Sequence, residues 1–83
     1  MKTDKSRTFR PVKITVAGRT RELKTVLDVA KLHTGNDWPL QNGPAQSKVR
    51  LAMVEALNDE KSPEEVRQAL LRAAREAYLK YDA

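Results

Sequence analysis

The sequence predicts a small single α+β domain: a β-hairpin followed by three helices (ββααα), with the helices packed on one face of the sheet. Three observations carry this. "PVKITV" (11–16) alternates strictly between apolar and polar residues and runs into a turn signal at Ala17-Gly18. "SPEE" (62–65) is a helix start followed by an amphipathic period. Between them "NDWPLQNGP" (36–44) gathers two of the four prolines and one of the three glycines, which separates two further helical stretches.

In this first strand Val12, Ile14 and Val16 share one face while Lys13 and Thr15 take the other, the period of a half-buried strand. "RTRELK" (19–24) returns as a second strand, weaker because only Leu23 is clearly apolar. Arg19, Arg21 and Leu23 share a parity, so the arginines cannot face outward while Leu23 faces inward unless a bulge intervenes. Two strands are marginal in water, so the helices must supply most of the core, and a second hairpin from another subunit is a further way to widen the sheet.

The first helix starts at Thr25, an N-cap with Asp28 at N3, and sets Val26, Val29, Ala30 and His33 on one face. Gly35 is expected to end it as a left-handed residue. The second helix runs from about Pro44, suited to a first turn, to Asn58, with Val49, Ala52, Met53, Ala56 and Leu57 as its buried stripe. In the third, Ser62, Pro63 and Glu65 form a capping box with Pro at N1, and Val66, Ala69, Leu70, Ala73 and Ala77 line one face. Arg72 and Glu76 are spaced to pair on its outer side. The helix is expected to end near Tyr78, leaving "LKYDA" as a tail, with the tyrosines of this end folding back.

From Lys13 onward the chain resembles a family of small alphaproteobacterial proteins, frequent in rhizobia, catalogued as domain of unknown function 982. The residues that carry the likeness are the basic hairpin before "TVLDVAKL", the pair Trp38-Pro39 followed by Gly43, and the closing "SPEEVRQALLRAAREA", together about 70 of the 83 residues. The resemblance implies an α+β fold and a bacterial cytoplasmic origin, and no activity. The family's typical cysteine in the second helix is missing here, so a thiol-dependent role does not carry over.

Composition narrows the function classes. A chain of 83 residues forms one domain, read here as 9–83 behind a flexible basic arm over 1–8, and buries only about 60 to 65% of its unfolded surface. Its core is thin, and self-association is one way to bury more. The absence of cysteine excludes disulfides, thiol catalysis and Cys-based zinc sites and fits a reducing cytoplasm. No apolar segment follows the basic N-terminus, and no run approaches the roughly 20 residues of a membrane span, so a soluble cytoplasmic protein is expected.

Little catalytic chemistry is visible. His33 is the sole imidazole and, without an orienting partner in the sequence, reads as a partly buried structural residue, with a catalytic or ligand role as the alternative. Asp59, Glu60, Glu64 and Glu65 gather at the turn before the third helix but lack the ligand spacing of a calcium loop; capping and solvation account for them. "QNGPAQSK" lacks the first glycine and the Gly-Lys-Ser/Thr ending of a phosphate loop. No catalytic residue, metal site or cofactor is assigned.

Two surfaces remain. The net charge of +5 is concentrated in residues 1–24, which hold eight of the sixteen bases and only Asp4 and Glu22 as acids. Lys5, Arg7, Arg10, Lys13, Arg19, Arg21 and Lys24 are therefore candidate polyanion contacts, against a solvated, edge-protecting role. Leu51 and Val54 lie off the buried stripe of the second helix, so that helix is either sandwiched or forms a homodimer or partner interface. Trp38 is either a plug that tucks the connection against the core or an exposed contact residue. The reading that follows is a non-enzymatic binding module with homodimerisation in view. The alternative is nucleic-acid binding by the arm and hairpin, and the third class is an enzyme using His33 or the acidic turn.

Overall fold

The computed structural model describes residues 8–83. Its elements are β1 (Thr8–Val16), β2 (Arg19–Thr25), α1 (Val26–His33), α2 (Pro44–Leu57), α3 (Pro63–Glu76) and β3 (Lys80–Asp82). The strands form one antiparallel sheet in the order β2-β1-β3, and the three helices cover the face that carries Val12, Ile14, Val16 and Leu23. The α+β class with a hairpin and three helices is therefore what the chain adopts. Apart from Thr8, which opens β1, the expected arm lies outside the described residues, as do Lys5 and Arg7.

The hairpin closes at Ala17 and Gly18, both with positive φ (52° and 76°), the pairing that matches the twist of adjoining strands. Register is regular from Val16↔Arg19 back to Val12↔Leu23 and then shifts, so that Phe9, Arg10 and Pro11 stand against Lys24 alone before Thr8 pairs with Thr25. Pro11 has no N–H to give the ladder, and a bulge is where a strand tolerates that. The Arg10 carbonyl released there accepts from Arg67 Nε of α3 at 3.1 Å, while Arg67 Nη1 bonds Glu64 at 3.0 Å. Those bonds explain an arginine that is only 6% exposed.

No bulge interrupts β2 beside its arginines. The register instead sets Arg19 opposite Val16 and Arg21 opposite Ile14, on the helix side of an edge strand, and Arg21 reaches Asp37 at 3.3 Å. The parity conflict is thus resolved by letting the arginines leave along the rim of the core.

Three expectations about the helices and the residues after them need correction. Gly35 does not take a left-handed conformation. Thr34 closes α1 in right-handed geometry, with its N–H and its Oγ1 both donating to the Ala30 carbonyl. Leu57 is 45% exposed and leaves the stripe to Val49, Ala52, Met53 and Ala56. Finally, α3 stops at Glu76, because Tyr78 turns left-handed (φ 58°) and the Leu79 N–H bonds the Ala74 carbonyl while the Tyr78 N–H bonds Arg75. The last residues are then no loose tail: β3 pairs Lys80, Tyr81 and Asp82 with Thr15, Ile14 and Lys13. The chain widens its own sheet, and Tyr81 and Leu79 pack partly against the core.

Candidate functional site

The connection from α1 to α2 is organised around one side chain, Gln46. Its Oε1 accepts from Trp38 Nε1 at 2.9 Å and meets His33 Nε2 at 2.9 Å; its Nε2 donates to the Ala73 carbonyl at 2.8 Å and to Glu76 Oε1 at 3.0 Å. All four hydrogen-bonding capacities of the amide are used. The partners also dictate its orientation. The indole N–H can only donate and the Ala73 carbonyl only accept, so Oε1 must face Trp38 and His33, and His33 must carry its proton on Nε2. Trp38, 3% exposed, is the plug of this connection, and its ring lies 5.0 Å from that of His33.

Glu76 completes the arrangement from another helix. Gly43, the N-cap of α2, has no side chain to cap with, and Pro44 at N1 has no N–H to satisfy. The next two N–H groups, of Ala45 and Gln46, donate to Glu76 Oε2 at 3.3 Å and Oε1 at 3.2 Å. The expected surface pair of Glu76 with Arg72 therefore does not form. Its carboxylate turns inward, where the positive end of α2 stabilises it.

His33 has no exposed surface, and its Nδ1 is buried with no hydrogen-bond partner among the described residues. Burial lowers its pKa from the ordinary 6.5, the bond to Gln46 opposes that shift, and the Arg50 charge adds to it. Unfolded, the ring takes up a proton near 6.5; folded, it does so only at lower pH. The stability tied to the neutral ring is therefore complete above 6.5 and drains as pH falls from 6.5 towards the folded value. Wild type is expected to lose stability over that window with a slope approaching about 1.4 kcal/mol per pH unit, relative to His33→Asn, in urea melts at stepped pH. Parallel pH profiles would show that the ring is not buried neutral.

The acidic turn shows no metal centre: among the described residues no group of three or more His, Asp or Glu side chains is placed to hold an ion. Glu65 is the capping partner of Ser62, bonding the Ser62 N–H at 3.0 Å, and that bond holds its carboxyl below the usual range. Gln68 does the same for Glu64 from 2.8 Å. Both stay ionised at neutral pH.

The described basic residues do not converge. Lys13 and Lys24 lie with Thr15, Thr20 and Glu22 on the sheet face the helices leave open. There Lys13 is opposite Glu22 on one side and Asp82 on the other, and Lys24 Nζ is 3.9 Å from Glu22. Arg19 and Arg21 belong to the opposite face, and Arg10 sits in the bulge.

The surface with the most distinctive character is α2–α3. Leu51 and Val54 are 58% and 56% exposed on a helix whose remaining valine and methionine are buried. Leu51 forms one wall of a groove of about 480 Å³ along the α2–α3 seam, floored by Ala52 and Ala69 and bordered by Lys48, Glu55, Lys61, Glu64, Glu65, Gln68 and Arg72. Small residues at the seam leave this trough where larger ones would fill it. Apolar periodicity pointed to Leu51 and Val54; the groove beside them arises from two helices, and no single-helix pattern shows it.

Among the described residues no helix is long and apolar enough to cross a membrane. Comparison with curated proteins and with solved structures gives no match. A family described as "Protein of unknown function (DUF982)" matches residues 10–81, which takes in the hairpin from Arg10 onward, the Trp38–Gln46 connection, all three helices and most of β3. The chain belongs to that family.

Proposed function

We propose that this is a non-enzymatic interaction module of the bacterial cytoplasm that works by protein contact through the α2–α3 face. The observation that carries the reading is the pair Leu51 and Val54, more than half exposed on a helix whose Val49, Ala52, Met53 and Ala56 are buried, with Leu57 at its end also exposed. Leaving two branched aliphatic side chains more than half in water forfeits about 1 to 2 kcal/mol each, which burial against a partner recovers. The buried His33 and the capping use of Glu65 support a module without catalysis. The cysteine-free composition fits a reducing compartment.

The polyanion alternative has weaker support. Arg10, Lys13, Arg19, Arg21 and Lys24 are divided between the two faces of the sheet and interspersed with Glu22, Asp37 and Asp82, so they do not make one positive field.

In-cell photo-crosslinking tests the proposed reading. A photoreactive residue at position 51 or 54 should give a discrete product of higher mass, and one at Thr15 on the open sheet face should give none. The absence of product at both 51 and 54 would overturn the reading.

A further inference from the structure

The charges along the α2–α3 groove are ordered. Lys48 and Arg72 stand at the end of the groove near the start of α2, and Glu55, Glu64 and Glu65 stand at the turn end around Lys61, whose Nζ is 3.7 Å from both Glu55 and Glu65, so that end keeps an excess of acids. Neither Lys48 nor Arg72 has an ion-pair partner among the described residues. Glu76, further along, is committed to the N–H groups of α2.

The spacing is symmetric. On α2, Lys48 and Glu55 stand equally far on either side of Leu51-Ala52; on antiparallel α3, Arg72 and Glu65 stand equally far on either side of Gln68-Ala69. Each base and its acid are two turns apart, about 10.5 Å at 1.5 Å per residue. A surface with a basic end, an acidic end and an apolar centre midway between them is complementary to itself under a two-fold rotation about that centre.

We propose that the α2–α3 face is covered by a second copy of this chain, docked about a two-fold axis through its centre. Leu51 of each copy then packs against Leu51 of the other beside the facing Ala52/Ala69 troughs, and Lys48 and Arg72 of each meet Glu55 and Glu65, respectively, of the other. The result is an antiparallel packing of two helical hairpins, the geometry of a four-helix bundle, with Val54 extending the apolar contact. This arrangement gives a thin core the further burial it lacks and neutralises the two unmatched bases. A parallel arrangement would set like charges together and is disfavoured. The inference rests on the protein-contact reading of this face and adds the identity and orientation of the partner.

Light scattering on the purified chain from micromolar to millimolar concentration should report twice the 9.4 kDa chain mass, and Leu51→Glu should return it to the monomer mass with its circular dichroism unchanged. A doubly substituted acidic variant, Lys48→Glu with Arg72→Glu, should be monomeric alone. So should a basic variant, Glu55→Lys with Glu65→Gln, the glutamine keeping the capping box. Mixing the two should restore the dimer, because three of the four contacts between them are again of opposite sign and the fourth sets a glutamate against a neutral glutamine. A monomeric wild type at millimolar concentration overturns the second copy as occupant; so does a dimer indifferent to Leu51→Glu. Failure of the mixed variants to recombine, with both folded, overturns the antiparallel orientation. If the pure protein is monomeric while position 51 still crosslinks in cells to a product of another mass, the contact reading stands and the second copy does not.

Discussion

Gln46→Leu is expected to lower stability by about 4 kcal/mol, enough to lower the melting temperature by roughly 16 to 32 °C in a domain of this size. The volume is nearly kept, so no large cavity arises. What the leucine cannot do is receive the Trp38 and His33 N–H groups, both of which would remain buried with nothing to bond. Each such orphan costs about 1 to 3 kcal/mol, and the Glu76 carboxylate also loses a donor. Against a total stability on the order of 5 to 15 kcal/mol, this is a large fraction. The single tryptophan gives a local readout in the same experiment: its emission should be blue-shifted in wild type and shift red in the variant before global unfolding. Gln46→Glu should fare worse at neutral pH than in mild acid, because it sets a second carboxylate against Glu76. A Gln46→Leu cost below about 1 kcal/mol would mean that the network of bonds is dispensable.

Gly43→Ala is expected to cost about 3 kcal/mol, through two effects that a double-mutant cycle separates. The first is conformational: Gly43 has φ 135°, where a side chain is strained. The second is steric, since a Cβ at Gly43 would stand 2.5 Å from Glu76 Oε1. A glutamate at the end of a free side chain would simply move away, but this one is held by two backbone N–H groups and the Gln46 amide. Moving it uncaps α2. Glu76→Ala alone should cost about 2 kcal/mol, and the Gly43→Ala/Glu76→Ala double variant should cost about 1 kcal/mol less than the sum, because the cap can be lost only once. Strict additivity in denaturant melts would show that Gly43 acts through φ alone.

These two residues mark where reading the sequence stops. The hairpin was legible because Val12, Ile14 and Val16 alternate and Ala17-Gly18 suits the turn; α1 and α3 were legible because Thr25/Asp28 and Ser62/Glu65 are capping boxes written within four residues. The start of α2 was legible from Pro44, but its cap was not. The capping carboxylate comes from Glu76, thirty-one positions beyond Ala45, and local spacing paired that glutamate with Arg72. The strand that follows α3 was missed for a related reason. A tyrosine takes the left-handed position where glycine is the usual signal, held there once Leu79 and Tyr81 are drawn against the core and β3 pairs with β1.

The candidate surface divides along the same line. That Leu51 and Val54 fall outside the buried stripe follows from helical periodicity, a property of one element. That a trough lies beside Leu51, and that its charges are ordered from basic to acidic, depends on the antiparallel approach of α3. The basic N-terminal part shows the converse: eight bases adjacent in sequence read as one patch, and strand register then deals the described ones to opposite faces of the sheet. The sequence by itself determined the fold class, the hairpin turn, two of the three helix caps and the concentration of charge, because each follows from residues within a turn or a strand of one another. Only the tertiary structure decided that Trp38 is buried, that Gln46 and Glu76 hold the α1–α2 connection, that the last residues form a third strand and that α2–α3 carries a groove. In each of those, the energy comes from groups distant in the chain whose meeting depends on the packing of the whole core.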